Sequence, residues 1–281
     1  MAIAFSSLGS GSKGNGTVVR TLASDKDKSK DSDVNASSTI VLIDCGFTIK
    51  ETERRLARLD LTPAHLDAII VTHEHGDHIK GVGPLARKYN LPVYITAGTF
   101  RSKKIGALDD VRLIHRYEPF DINAFHITPV AVPHDASEPA QFIIECDNKR
   151  LGILTDLGNI SPHVEMHYQS CDALILEANH DPAMLASSAY PFSLKQRVGG
   201  AWGHLSNQQA ARFLESVDRK KLEHLVVAHI SRQNNSVELA QQAFNDVLAS
   251  IKNVVYACQD DGFDWISLSP YNEPTEATTT H

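Results

Sequence analysis

Short apolar, β-branched runs recur along the chain: AIAFSSL at 2–8, TIVLID at 39–44, LDAIIVTH at 66–73, then LPVYIT, AFHITPVAV, AQFIIEC, RLGILTD, DALILEAN, EHLVVAH, NVVYAC and FDWISL. Their length and their Val and Ile content predict strands, several without polar alternation and so buried on both faces. Helix start signals lie between them. Thr48 with Glu51 predicts a capping box before Ile49, Leu56 and Leu59, and Ser206 with Gln209 another before a face of Ala210, Phe213, Leu214 and Val217. Asn235 with Glu238 predicts a third cap, with Ala240, Phe244, Val247 and Ile251 inward. Strands clustered and then interleaved with helices, with no internal repeat, predict an α/β fold of layered sheets flanked by helices. One domain is expected over residues 1–270, with a charged, Ser-rich surface loop at 23–38 and a loose tail at 271–281.

Composition narrows the function classes. With 42% apolar and 22% charged residues the 281-residue chain can bury a sizeable core. No run approaches the roughly 18 apolar residues of a membrane-spanning helix, and the opening MAIAFSSLGS lacks the regions of a secretion signal. A soluble, cytoplasmic protein with no membrane partner is expected. Cys45, Cys146, Cys171 and Cys258 form no CxxC pair and are expected to be buried thiols. A net charge of -7 argues against broad attraction to polyanions, so a polyanionic substrate would have to be held locally. Fourteen histidines direct attention to metal or proton chemistry.

The chemistry concentrates in VTHEHGDH, residues 71–78, directly after an apolar run. A strand ending there aims His73 and His75 the same way, with Asp77 and His78 in the following turn. Four ligand-type residues in six positions suit a pair of divalent ions better than one tetrahedral ion. Further ligands are then required at strand ends, and His134, Asp156 and His229 each follow an apolar run. Histidine and carboxylate donors without thiolate suit zinc, manganese or iron.

HxHxDH followed by a separate His, Asp and His resembles the metallo-β-lactamase superfamily over residues 39–230. The resemblance implies an αββα sandwich with a dinuclear metal site at the sheet edge. It implies that His73, His75 and His134 hold one metal, Asp77, His78 and His229 the other, and that Asp156 bridges them. Asp44, in LIDCG, matches a residue that braces the metal loop. FSSLGSGSKGN, LEANHD, YPFSLKQRVGGAWGHLSN and AHISRQNNSVELA resemble the YycJ-like (VicX or WalJ) exonuclease branch, from which the polar insert at 23–38 is the chief departure.

That resemblance implies a phosphodiesterase acting on nucleic acid, a 5′ to 3′ DNA exonuclease, with RNA left open as the alternative substrate. A metal-bound hydroxide would attack the phosphate and a histidine would protonate the leaving oxygen. GHLSN and LEANH match the order of two ribonuclease Z motifs, which makes His204 the general acid and Glu177 the carboxylate that orients it; Asp77 would also accept the water's proton. Local readings stay open. His180 is either a substrate contact or a loop histidine, and Lys195 and Arg197 are either phosphate contacts or solvated charges. GSGSKGNG at 9–16 is either a phosphate-binding loop or a tight hairpin. Competing functions are a small or cyclic phosphodiester hydrolase, a glyoxalase II-like thioesterase without its helical substrate domain, and a non-catalytic metal-binding regulator. β-Lactam hydrolysis is the least expected.

Overall fold

The computed structural model describes residues 2–22, 38–248 and 251–268. The predicted loop at 23–38, except Ser38, and the predicted tail lie outside them. Six strands run in chain order into the first sheet: β1 (Ala2–Gly9), β2 (Gly16–Leu22), β3 (Ile40–Ile43), β4 (Ala68–Ile70), β5 (Val93–Thr96) and β6 (Val111–Ile114). The second sheet takes β7 (Phe120–Ile122), β8 (Phe125–Ala131), β9 (Ala140–Cys146), β10 (Lys149–Leu154), β11 (Ala173–Glu177), β12 (His224–Ala228) and β13 (Asn253–Tyr256). The chain then returns as β14 (Phe263–Ser267) beside β1, closing two seven-stranded sheets. Strands β3 to β6 and β10 to β13 are parallel runs.

Alternation along fully buried strands explains the layers. In β11, Ala173 and Ile175 enter the cluster between the sheets, whereas Leu174 and Leu176 point outward. In β3, Val41 and Ile43 point between the sheets, and Ile40 and Leu42 outward. Both faces of each sheet are thus apolar, so each outer face needs helices; each fully buried Leu or Ile contributes about 1.5–3 kcal/mol. Over the first sheet lie α1 (Ile49–Ala57), α2 (Gly76–Ile79), α3 (Val82–Tyr89) and α4 (Ala97–Arg101), with Leu56, Ile79 and Leu85 in the outer cluster. Over the second lie α5 (Pro162–Tyr168), α6 (Pro182–Ser187), α7 (Phe192–Val198), α8 (Asn207–Ser216) and α9 (Val237–Leu248), with Val164, Phe213 and Phe244 inward. This is the expected αββα sandwich.

Three local expectations change. The Thr48 box is half formed: Thr48 accepts from the Glu51 amide, but the Glu51 carboxylate is taken by Arg54 and Arg55. The α9 cap is Ser236, not Asn235, because Ser236 Oγ accepts from Leu239 N at 3.2 Å while the Asn235 amide is committed to Ala178 O and Asn207. Cys258 is exposed; the other three cysteines are buried as expected. The Ser206 box forms in full, and residues 10–15 connect the antiparallel pair β1 and β2 as a hairpin.

Candidate active site

The candidate residues collect at one rim because the strands that carry them end there. The register pairs Leu154 with Leu176 and Glu177 with Ala228, so the ends of β10, β11 and β12 are level. Asp156, Glu177 and His229 therefore emerge together, where an open sheet presents its carboxyl ends to a ligand. Asp44, Asp156 and His229, just past β3, β10 and β12, adopt left-handed φ values of 60°, 54° and 56°. A non-glycine residue in that region costs about 1–3 kcal/mol, a strain the surrounding rim must hold.

The first cluster is His73, His75 and His134. His73 Nε2 and His134 Nε2 stand 3.0 and 3.2 Å from His75 Nδ1. His134 Nδ1 donates to the Gly203 carbonyl at 3.0 Å, which fixes its tautomer and leaves Nε2 with a lone pair. The second cluster is Asp77, His78 and His229. His78 Nδ1 donates to Asp44 Oδ2 at 2.7 Å, and Asp44 also accepts from the amide and hydroxyl of Thr72. Asp44 thus ties the loop, through Thr72, to the ring of His78.

Asp156 lies between the clusters. Its Oδ2 is 3.5 Å from His78 Nε2, and its Oδ1 is 3.5 Å from His229 Nδ1 and 3.8 Å from His204 Nδ1. Among the described residues Oδ2 is buried and makes no hydrogen bond, its facing group being the His78 ring at 3.5 Å. A buried carboxylate oxygen without a hydrogen bond is costly unless positive charge meets it. Electrostatics point the same way. Burial, joined by repulsion from His78, drives His73 well below its usual pKa, and burial also lowers His134, so both carry free lone pairs. At His78 and His229 burial is outweighed by facing carboxylates, Asp156 first, and His229 rises to about 9. Burial pushes Asp156 up, but His229 and His78 outweigh it and hold the carboxyl well below its ordinary value. The site stabilises positive charge at the points where ligand nitrogens converge, so its donor set fits divalent cations.

Glu177, at the end of β11, is fully buried and holds two histidines. Its Oε1 accepts from His204 Nδ1 at 2.7 Å and His229 Nδ1 at 2.8 Å, and its Oε2 from the amides of Leu157 and Leu205. Burial opposes its ionisation, but His204 and His229 outweigh it and bring its pKa to about 2. The same carboxylate, aided by Asp156, raises His204 against the effect of burial. The His204 ring is 5.3 Å from both the His134 and His229 rings, so it stands between the two clusters.

A cavity of ≈ 370 Å³ opens over this assembly, lined by His75, Asp77, Asp156, His204 and His229 with Arg197. Of the expected substrate contacts it includes only Arg197, whose guanidinium is hydrogen-bonded to Asp135. Lys195 and His180 line a different groove behind α7. Sequence reasoning missed Asp135, whose Oδ1 is 3.6 Å from His75 Nε2 and 3.5 Å from His134 Nε2; its place beside His134 was the available signal. It also missed Ser10, which accepts from His229 N at 2.9 Å, and Asn15, whose Nδ2 is 3.0 Å from His78 Nε2. Both lie in or beside the Gly-rich hairpin.

Asn15, Gly46 and Asp77 are bound through their backbones: Asn15 N donates to Asp77 O at 2.8 Å and Gly46 N to Asn15 O at 2.9 Å. A Cβ on Gly46 would fall 1.7 Å from Asp77 O and 2.7 Å from Asn15 N. These are backbone atoms, so the loop carrying Asp77 and His78 must shift. Gly46→Ala is expected to cost about 1–3 kcal/mol of stability and to lower bound metal, checked by thermal unfolding and metal content. Full metal content at an unshifted Tm would contradict this packing.

A family model described as a beta-lactamase superfamily domain matches residues 39–230, and the chain belongs to that superfamily. It is a metal-dependent hydrolase of the metallo-β-lactamase fold. Among individual proteins it is 35% identical over 254 residues to a protein named exodeoxyribonuclease YycJ from Bacillus anthracis, covering 88% of this chain and 90% of the relative. It is 34% identical over 252 residues to exodeoxyribonuclease WalJ from Streptococcus pneumoniae, covering 87% and 88%. Among solved structures, the metallo-beta-lactamase fold protein YhfI from Bacillus subtilis superposes with a TM-score of 0.69 at 17% identity, over 95% of this chain and all (100%) of that one. Among the described residues no helix is long and apolar enough to cross a membrane.

Proposed function

We propose that the chain is a two-metal phosphodiesterase that degrades DNA as an exonuclease with 5′ to 3′ polarity. The carrying observation is the position of His204: it lines the cavity between two ligand clusters, with Nδ1 committed to Glu177 at 2.7 Å. His73, His75 and His134 would hold one ion and Asp77, His78 and His229 the other, with Asp156 between them. Bound there, the ions supply Lewis acidity for the phosphate and acidify a water. The chain's own groups then move the protons. Asp77 accepts one from the attacking water as the new P–O bond forms. His204 gives the Nε2 proton to the oxygen that leaves as the scissile P–O bond breaks; Glu177 stabilises the imidazolium before that transfer and keeps the proton on Nδ1 after it. The likeness to two proteins named exodeoxyribonucleases over nearly nine-tenths of the chain supports DNA as the substrate.

The test is incubation of the metal-quantified protein with end-labelled single- and double-stranded DNA and matching RNA, in Mn²⁺ or Zn²⁺. Stepwise shortening of DNA from the 5′ end, abolished in Asp77→Ala, is expected. Hydrolysis of bis(p-nitrophenyl) phosphate with every oligonucleotide left intact would instead make this a small-diester hydrolase.

A further inference from the structure

The reaction cavity is poorly equipped to hold a strand. Asp77, Asp135 and Asp156 line it, and both arginines in its wall are already paired, Arg197 with Asp135 and Arg232 with Asp260. Helix α7 separates it from a second, wider groove of ≈ 650 Å³ between α6, α7 and α8. The wall is one peptide thick in two places: Asn179 and Val198 line the cavity, and the next residues, His180 and Gly199, line the groove. Among the described residues no Asp or Glu lines this groove, although the protein is acidic overall, and two cations do: Lys195 and Arg212. Among the described residues neither makes an ion pair. Lys195 Nζ donates to the Ala186 carbonyl and Arg212 Nε to the Gln208 carbonyl at 3.2 Å, which leaves most donors of each free. Phe192 stands on the rim with 74% of its surface exposed, and the buried Leu185 and the exposed Pro182 add apolar lining. His180, only 4% exposed, lies against the groove, and among the described residues its Nδ1 has no hydrogen-bond partner.

Free cations, an exposed aromatic ring and an absence of carboxylates are what a polyanion with flat π-faces requires. We propose that this groove holds a single nucleic-acid strand next to the nucleotide being cleaved, with a base against Phe192 and phosphates on Lys195 and Arg212. The proposal rests on the nuclease reading above and deepens it: chemistry occurs on the acidic side of α7 and strand affinity comes from the other. The strand passes over α7, and the wall's thinness lets adjacent nucleotides occupy the two spaces.

The metal-loaded protein is titrated, over a range of salt concentrations, with a fluorescent phosphorothioate thymidylate oligonucleotide, beside kinetics on the unmodified oligomer. Phe192→Ala is expected to weaken binding about tenfold, as the loss of one base stack does. Arg212→Ala should weaken it and flatten the slope of log affinity against log salt by about 0.7, one single-strand phosphate contact, whereas Arg212→Lys should keep the slope. In both alanine variants the loss should appear in KM rather than kcat. Both side chains are at the surface, so a preserved Tm separates these effects from misfolding. If both alanine variants bind with wild-type affinity and salt slope while the oligomer is still degraded, the groove proposal falls and the nuclease reading stands. If the wild type neither binds nor degrades oligonucleotides, the nuclease reading falls and takes the groove with it.

Discussion

Replacing His204 with alanine is expected to lower turnover on DNA by about 10²–10⁴-fold, the usual worth of a positioned general acid, with bound metal unchanged. The geometry separates the two outcomes. His204 Nδ1 is spent on Glu177, so the ring offers only Nε2 to the cavity, and three histidines already form the first cluster without it. A further readout isolates the proton. A general acid matters most when the departing oxygen is strongly basic, as a sugar alkoxide is, and little when it leaves as p-nitrophenolate. The deficit of His204→Ala should therefore shrink markedly on p-nitrophenyl diesters. An equal loss on both substrates would mean that the ring packs or positions rather than donates, and loss of metal would make it a ligand.

Much of this was legible in the sequence, for identifiable reasons. β3, β11 and β12 are buried on both faces, so they appear as unbroken apolar runs, and the residues that end them are the candidate site residues. HxHxDH is compact enough to be recognised alone. The missed strands are those with least apolar signal: β2 carries Thr and Arg at partly exposed positions, β6 is a sheet edge with its two central residues exposed, and β7 has three residues. The short helices α2, α4, α5, α6 and α7 fall below the length at which a 3.6-residue period can be seen, and α3 contains Gly83 and Pro84. Asn15, Ser10 and Asp135 were hidden for another reason. Their role depends on a hairpin, a strand end and a helix meeting at one rim, and no local pattern encodes that meeting. The Asn235 cap failed likewise: Asn235 and Asn207 exchange amide hydrogen bonds across 28 residues, tying the starts of α8 and α9 together.

Glu177→Gln should be the more damaging change, because one carboxylate oxygen holds both the candidate acid and a candidate metal ligand. Glutamine has the right shape and the wrong donors. If its oxygen stays with the Leu157 and Leu205 amides, its NH₂ faces two imidazole N–H groups. Each ring must then move its proton to Nε2, which removes the lone pair His229 needs as a ligand. If its oxygen faces the histidines instead, the NH₂ meets two backbone donors. The first arrangement satisfies the amide at the expense of the metal ligand; the second leaves fully buried donors unsatisfied, at about 1–3 kcal/mol of stability. Metal affinity at the second cluster is expected to fall about 10–100-fold, with turnover falling in addition. This differs from His204→Ala, where metal is retained. In the double variant, the part of the Glu177→Gln defect that acts through His204 should vanish, since the ring it oriented is gone, while the metal defect should persist in full. Titration of metal into the four proteins, beside their turnover at saturating metal, measures both parts. Strict additivity in turnover would show that Glu177 acts only through His229 and has no part in holding the acid.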